Sequence, residues 1–272
     1  MGQSTKKIIL LTLLLIPFAI LFGIYDFAIS KQIVNQNSVW GKFLEEYGMI
    51  PGIFVILSGI YIYYSYIMQK SDLWSYIQKA IFFLVSSGLI FYLYEILLGE
   101  IVKYYLLLFL IVSFIDGIIV LMYIHKIKQV SNPILIQYAK VVVGMALFGY
   151  VIGIQAIKFL WGRVRFRELD AVFSQFTPWY LPQGITGFDS FPSGHAAMGW
   201  MLLALLVLFD KSEARLKNFI LILIIVWAVF LSLSRVVIGA HFASDVLFGS
   251  FFIIITFLVL DRNNKFQTSN EK

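Results

Sequence analysis

Residues 218–235 read NFILILIIVWAVFLSLSR, an almost unbroken apolar run that closes on Ser234 and Arg235. The hydrocarbon core of a bilayer is about 30 Å thick, and roughly 20 apolar residues cross it as a helix that satisfies its own backbone N–H and C=O groups. The run therefore predicts a transmembrane helix. Working outward, seven more apolar segments lie at approximately 8–28, 49–68, 80–98, 104–124, 139–159, 195–210 and 242–260, the one at 195–210 being short. Composition agrees: the 272 residues are 60% hydrophobic and 13% charged, where soluble domains carry about a quarter charged residues. The expected fold class is all-α, a polytopic membrane helix bundle with about eight apolar segments, six to eight of them transmembrane.

No polar stretch is long enough to build a separate core, so residues 1–272 read as one membrane domain. Within it, residues 1–138 are N-terminal helices whose role the sequence does not assign. Residues 139–260 form the helix core that carries the motifs, and 261–272 read as a disordered polar tail. Ala28-Ile29-Ser30 is a small-x-small site of the kind that ends signal peptides, but the apolar run before it is longer than a usual signal core. An uncleaved first span is the better reading. Lys6 stands where a myristoylation signal needs Ser or Thr. With no cysteine in the chain, disulfides, thiolate zinc sites and iron–sulfur clusters are excluded.

The net charge of +6 would suggest nucleic acid in a soluble protein, yet here the basic residues sit in short loops between spans. Membrane orientation accounts for them better: with both termini in the cytoplasm, 13 of the 21 basic residues lie inside, as the positive-inside rule expects. Five cations then fall together on the outer side, against that rule: Lys158, Arg163, Arg165, Arg167 and Arg235. They require another explanation.

Three polar stretches supply one. KFLWGRVRF (158–166) places Lys158 and Arg165 seven residues apart, about two turns, so a continuing helix would project both cations to one side; such a pair suits a phosphate, whereas a single one would read as an interfacial snorkelling residue. SFPSGH (190–195) opens an apolar segment. Ser193 is placed to cap the helix, Pro192 and Gly194 to shape the turn, and the free N–H groups there would favour an anion. His195 follows where it could pass a proton to a leaving oxygen. SRVVIGAHFASD (234–245) spaces His241 and Asp245 at i, i+4, within hydrogen-bond reach on one helical face. A carboxylate there would fix one imidazole nitrogen and leave the other as nucleophile or base. Gly239 allows the bend that returns Arg235 to the same place. Each stretch alone has a bland alternative: snorkelling cations, a capped helix start, a structural His–Asp pair. All three at one membrane face, using two of the three histidines, do not suit coincidence.

The same residues carry a resemblance. Lys158-x6-Arg165, Pro192-Ser193-Gly194-His195 and Ser234-Arg235-x5-His241-x3-Asp245 are similar, in order and over about 90 residues of the C-terminal half, to the three-part signature of the type 2 phosphatidic acid phosphatase superfamily. The resemblance implies a phosphatase without metal or other cofactor, working through a phosphohistidine. His241 would be the nucleophile, Asp245 its orienting carboxylate and His195 the general acid. Lys158, Arg165, Ser193, Gly194 and Arg235 would bind the phosphate oxygens. That division of labour agrees with the physics of a loose phosphoryl-transfer transition state, where positioning and charge on the equatorial oxygens do most of the catalysis. Two features depart from the family: Phe166 stands in place of a proline after the arginine, so the chain leaving Arg165 is expected to be less rigid, and five apolar segments precede the first motif where three are usual.

Outside the signature, Asp116 lies within a span, where a carboxylate costs about 2.5–3.5 kcal/mol on insertion scales; a structural role is expected. Glu95 and Glu100 are candidate partners of Arg163 or Arg167. His125 adds to the cytoplasmic charge, and Gly149 and Gly153 form a GxxxG step for close helix packing. Phe173, Phe176, Trp179, Tyr180, Phe188 and Phe191, in the loop between the first two motifs, suit a membrane interface or a lipid entry. The expected partners are a lipid phosphate and membrane lipids, not nucleic acid; the sequence does not give an oligomeric state. The expected reaction is hydrolysis of a lipid phosphate or diphosphate at the outer leaflet of the cell membrane, with undecaprenyl diphosphate, phosphatidylglycerophosphate and phosphatidic acid as substrate types. Hydrolysis of soluble esters, phosphotransfer and transport of an anionic lipid are the rival readings.

Overall fold

The computed structural model describes residues 3–67, 71–99, 101–102, 105–126, 130–209 and 213–270. Among the described residues there is helix and no strand. The helices are α1 (Gln3–Ile33), α2 (Val39–Tyr47), α3 (Ile50–Ile67), α4 (Leu73–Leu98), α5 (Leu106–Lys126), α6 (Pro133–Gly144), α7 (Ile157–Trp161), α8 (Gly194–Met201), α9 (Ala214–Val237) and α10 (Ala243–Asn270). A π-helical segment, Met145–Ala156, joins α6 to α7, and a 3₁₀ segment, Leu202–Leu208, continues α8.

Six stretches are long and apolar enough to cross a membrane: Thr5–Ile33, Val39–Ile67, Leu73–Leu98, Pro133–Glu168, Ala214–Val237 and Ala243–Asp261. The chain is a multi-pass membrane helix bundle. The apolar stretches Leu106–Ile115 and Gly194–Leu208 are shorter. Glu100 and the side chains of Asp116 and His125 lie outside the described residues. Helix α10 continues to Asn270, through most of the stretch whose composition predicts a disordered tail; no Gly or Pro follows Gly249, so nothing in the backbone stops propagation of the helix.

The helices pack as two compact units, Met1–Gly52 with Gly144–Lys272, and Ile53–Val143. In the second, the Ser58 and Tyr138 hydroxyls are 2.7 Å apart and Phe83 meets Phe114 edge to face. The first unit is built around α8, which packs on α9, α10 and the π segment. Its small residues permit that crowding: Gly199 faces Ala228 of α9, and Gly249 of α10 lies so close to the Ser193 carbonyl that a Cβ would come within 2.3 Å of it. Gly149 and Gly153 of the π segment face Ile253 and Phe252 of α10, which is the close packing their spacing predicts. Six of the eight residues of α8 are buried, His195 and Trp200 being half-buried.

Candidate functional site

The loop after α7 begins with a reversal. The helix stops at Trp161 because Gly162 takes the left-handed conformation (φ 63°, ψ 28°), and the chain passes so near Gly184 and Thr186 that no Cβ would fit. Arg165 beyond it is extended (φ −73°, ψ 150°). Lys158 and Arg165 are therefore not on one continuous helix, as their spacing suggests. They converge through Asp189 instead: Lys158 Nζ donates to the Asp189 main-chain carbonyl at 2.5 Å and lies 3.3 Å from Oδ2, while Arg165 Nη2 donates to Oδ1 at 2.6 Å. Burial opposes ionisation of Asp189, but the two cations outweigh it and hold the carboxyl below its ordinary range.

Ser193 is the N-cap of α8, accepting from the Ala196 N–H, and its own N–H donates to the Asp245 carbonyl at 2.9 Å. Gly194 lies within a Cβ's reach of Lys158 Cε, so the first two motifs meet here. His195 Nε2 is 2.9 Å from the Glu45 main-chain carbonyl. A carbonyl can only accept, so that nitrogen carries the proton and Nδ1 is left for other work.

His241 also does not share a helix with Asp245, because α10 begins at Ala243. Gly239 (φ 69°) turns the chain so that the Ala240 and His241 N–H groups both donate to the Arg235 carbonyl; the bend expected at Gly239 is present. His241 Nδ1 ends 3.6 Å from Asp245 Oδ2. Burial, against the pull of Asp245, takes the imidazole down to about 4, so His241 is neutral at physiological pH. Asp245 is fixed from every side: Oδ2 accepts from the Ser190 hydroxyl at 2.6 Å and the Phe242 N–H at 2.8 Å, and Oδ1 from Arg163 at 2.5 Å. Its bond to Phe242 is the reach-back of a capping box at the start of α10.

Sequence reading gave no site role to four participants, although it counted Arg163 among the five cations that need an explanation. Arg163, buried, binds Asp26 at 3.0 Å, Ser244 at 2.8 Å and Asp245, and its guanidinium lies 4.0 Å from the centre of the Phe242 ring. Asp26, on α1, also accepts from the Ser244 N–H and hydroxyl. Glu45, on α2, accepts from Arg167 at 2.9 Å and Arg235 at 3.0 Å on the same oxygen. Asp189 is the fourth. Among the described residues, Asp26 and Asp245 are the partners of Arg163, and Glu45 is the partner of Arg167. A signal existed for Asp26: it is a carboxylate within an apolar run, the argument that singles out Asp116.

Lys158, Arg163, Arg165, Arg167 and Arg235 thus all meet carboxylates. Even so, Arg235 Nε and Nη1 and Arg165 Nε are buried donors that meet no acceptor among the described residues. Buried donors left without an acceptor are what an oxygen-rich anion would need.

Phe166, in place of the family's proline, packs near Phe27, Phe173 and Phe242 and opens a 3₁₀ turn. Aromatic packing holds the chain where a ring would have stiffened it. In the same loop Phe191 is buried against Trp161 and Phe248, and Trp179 Nε1 donates to the Ala19 carbonyl of α1. Tyr180 and Phe188 are exposed.

A helical membrane bundle that gathers two histidines, three arginines and a lysine at the ends of its core helices defines the class as an integral membrane protein with a candidate anion site. Comparison with known proteins then places it: residues 137–266 match the PAP2 superfamily, and the chain carries a PAP2 superfamily domain there. It is 35% identical over 92 residues to a lipid A 1-phosphatase of Rhizobium etli, a stretch that is 32% of this chain and 35% of that protein. A lipid A 1-phosphatase of Rhizobium johnstonii is 34% identical over 84 residues, 29% of this chain and 31% of its own. The chain spans about a third of the length of these curated relatives. No solved structure matches it.

Proposed function

We propose that this protein is a membrane phosphatase that removes a terminal phosphate from a lipid through a phosphohistidine. The observation that carries the reading is the convergence of Lys158, Arg165, Arg235, His195 and His241, with buried guanidinium donors on Arg165 and Arg235 that meet no acceptor among the described residues. His241, neutral and with Nδ1 turned to Asp245, attacks phosphorus through Nε2. The N–P bond forms as the P–O bond to the lipid breaks, and the leaving oxygen takes the Nδ1 proton of His195, which enters the step as the imidazolium that the phosphate's negative charge favours, its Nε2–H staying on the Glu45 carbonyl. Water then attacks the phosphohistidine, His195 takes its proton, and inorganic phosphate leaves with His241 restored. Lys158, Arg165, Arg235, the Ser193 hydroxyl and the Gly194 N–H hold the equatorial oxygens, so the chain's own cations stabilise the charge.

Undecaprenyl diphosphate, phosphatidylglycerophosphate and phosphatidic acid are the substrate types suggested by the family signature, and the names of the Rhizobium relatives add lipid A. With both termini in the cytoplasm, the site faces the outer leaflet of the cell membrane. The grouping of five cations against carboxylates supports that orientation, since a paired cluster explains why they escape the positive-inside rule.

The test is phosphate release by the purified full chain in mixed micelles with excess chelator, across lipid phosphates and soluble esters, beside His241→Ala. Chelator-resistant release that the variant loses is expected. Equal release by the variant would rule out the histidine mechanism.

A further inference from the structure

The Asp189 carboxylate sits between Lys158 and Arg165, two side chains that the proposed function assigns to the substrate phosphate, with one oxygen toward each. We infer that Asp189 is a built-in stand-in for the phosphate: its carboxylate holds the cations in place and must swing aside when a phosphate enters. This rests on the proposed function, and it adds a residue that neither the motifs nor the comparisons assign.

Three observations support it. First, the contacts divide by chemistry. Lys158 is held by the Asp189 main-chain carbonyl at 2.5 Å as well as by the side chain, so the lysine keeps its position when the carboxylate leaves. Second, the backbone beside it is pinned while the side chain is not: the Ser190 N–H donates to the Arg163 carbonyl and the Ser190 hydroxyl to Asp245, whereas the Asp189 side chain is 49% exposed. Rotation about its own χ angles is enough to move it into water. Third, the chain just before it leaves room: Gly184 and Gly187 are at positive φ with nothing within 4 Å of where their Cβ atoms would be. A carboxylate presents two oxygens and one negative charge to the cations; a phosphate monoester presents three oxygens and up to two charges, and also reaches the free donors of Arg235. The phosphate therefore wins the exchange, at a cost in apparent affinity equal to the fraction of time the carboxylate is out. The same competition helps inorganic phosphate to leave after hydrolysis.

The experiment measures binding of inorganic phosphate to the purified full chain, and its inhibition of turnover, in the natural protein and in Asp189→Asn, Asp189→Glu, Asp170→Asn and Lys158→Ala. Asp189→Asn is expected to bind phosphate about tenfold more tightly, as for a carboxylate that is in place roughly nine-tenths of the time, and to show stronger product inhibition. Asp189→Glu keeps the competing charge and retains the weak binding. Asp170→Asn removes a charge elsewhere in the loop and reports the general field, which about 0.5 M salt screens; the Asp189→Asn gain persists in that salt. Equal or weaker phosphate binding by Asp189→Asn, or a gain no larger than that of Asp170→Asn, overturns the inference while leaving the proposed site intact. Phosphate binding that Lys158→Ala does not weaken, or no phosphate binding by any of the proteins, overturns the site and the inference together.

Discussion

Arg163 and Asp245 are joined at 2.5 Å in the protein interior, and the same guanidinium binds Asp26 of α1 at 3.0 Å. One arginine thus balances two buried carboxylates, and one of them, Asp245, also faces the imidazole of His241. The carboxylate that orients the candidate nucleophile is held from outside the PAP2 domain, by a residue of the first span acting through Arg163.

Removing that arginine strands both carboxylates. Breaking a buried pair costs about 3–5 kcal/mol, so Arg163→Met is expected to lower the melting temperature in detergent sharply. Arg163→Lys rescues little, because one ammonium cannot reproduce a fork that meets Asp26, Ser244 and Asp245 together. A melting temperature unchanged in either variant would contradict this account of the pair.

Glu45 separates binding from proton transfer. Its side chain holds Arg235 and Arg167, but its contact with His195 is through the main-chain carbonyl. Glu45→Ala therefore frees Arg235 and leaves the histidine anchored. A hydrogen bond to a charged group contributes about 1.5–3 kcal/mol, so kcat/KM should fall roughly ten- to hundredfold while the pH profile of kcat keeps its shape. A profile that moves would show that the side chain also governs His195.

Gly249→Ala forces a Cβ to within 2.3 Å of the Ser193 carbonyl. The backbone that presents Ser193 and Gly194 must move, at a cost of about 1–3 kcal/mol, and activity should fall further than stability. Gly88 of α4 has nothing within 4 Å of its Cβ position, so Gly88→Ala is expected to stabilise the helix by about 0.5–1 kcal/mol with activity unchanged. Parallel melts and turnover assays of the two variants check the contrast.

The depressed His241 pKa of about 4 carries a stability consequence. Between that value and about 6.5, where an exposed histidine titrates, the unfolded chain binds a proton that the folded chain does not. Stability is therefore lost as pH falls through this window. His241→Gln cannot take up the proton, so its melting temperature should decline less between pH 7 and pH 5 than that of the natural protein. Identical slopes would mean that His241 is not buried in its neutral form.

Much of the candidate site was legible in the sequence because its cations, histidines and glycines are chemically conspicuous in an apolar chain. Lys158, Arg165, Ser193, Gly194, His195, Arg235, His241 and Asp245 could all be named from residue type and spacing. The geometry that spacing suggested was wrong at two places. Lys158 with Arg165, and His241 with Asp245, were expected on continuous helices; Gly162 ends one helix early and α10 starts after His241. Helical periodicity says which side chains share a face only where the helix persists, and a glycine in the left-handed region stops it.

The sequence by itself determined that the chain is a bundle of membrane helices, since apolar runs long enough to span a bilayer leave the backbone little choice but helix. It also determined which side chains could handle a phosphate. Only the tertiary structure decided which carboxylates answer the five cations. Asp26, Glu45 and Asp189 lie 137, 122 and 24 residues from the arginines they bind at 163, 167 and 165. Pairing over such separations has no periodicity to reveal it: it follows from α1 and α2 packing against the core helices, where an unmatched buried charge would be too costly to keep.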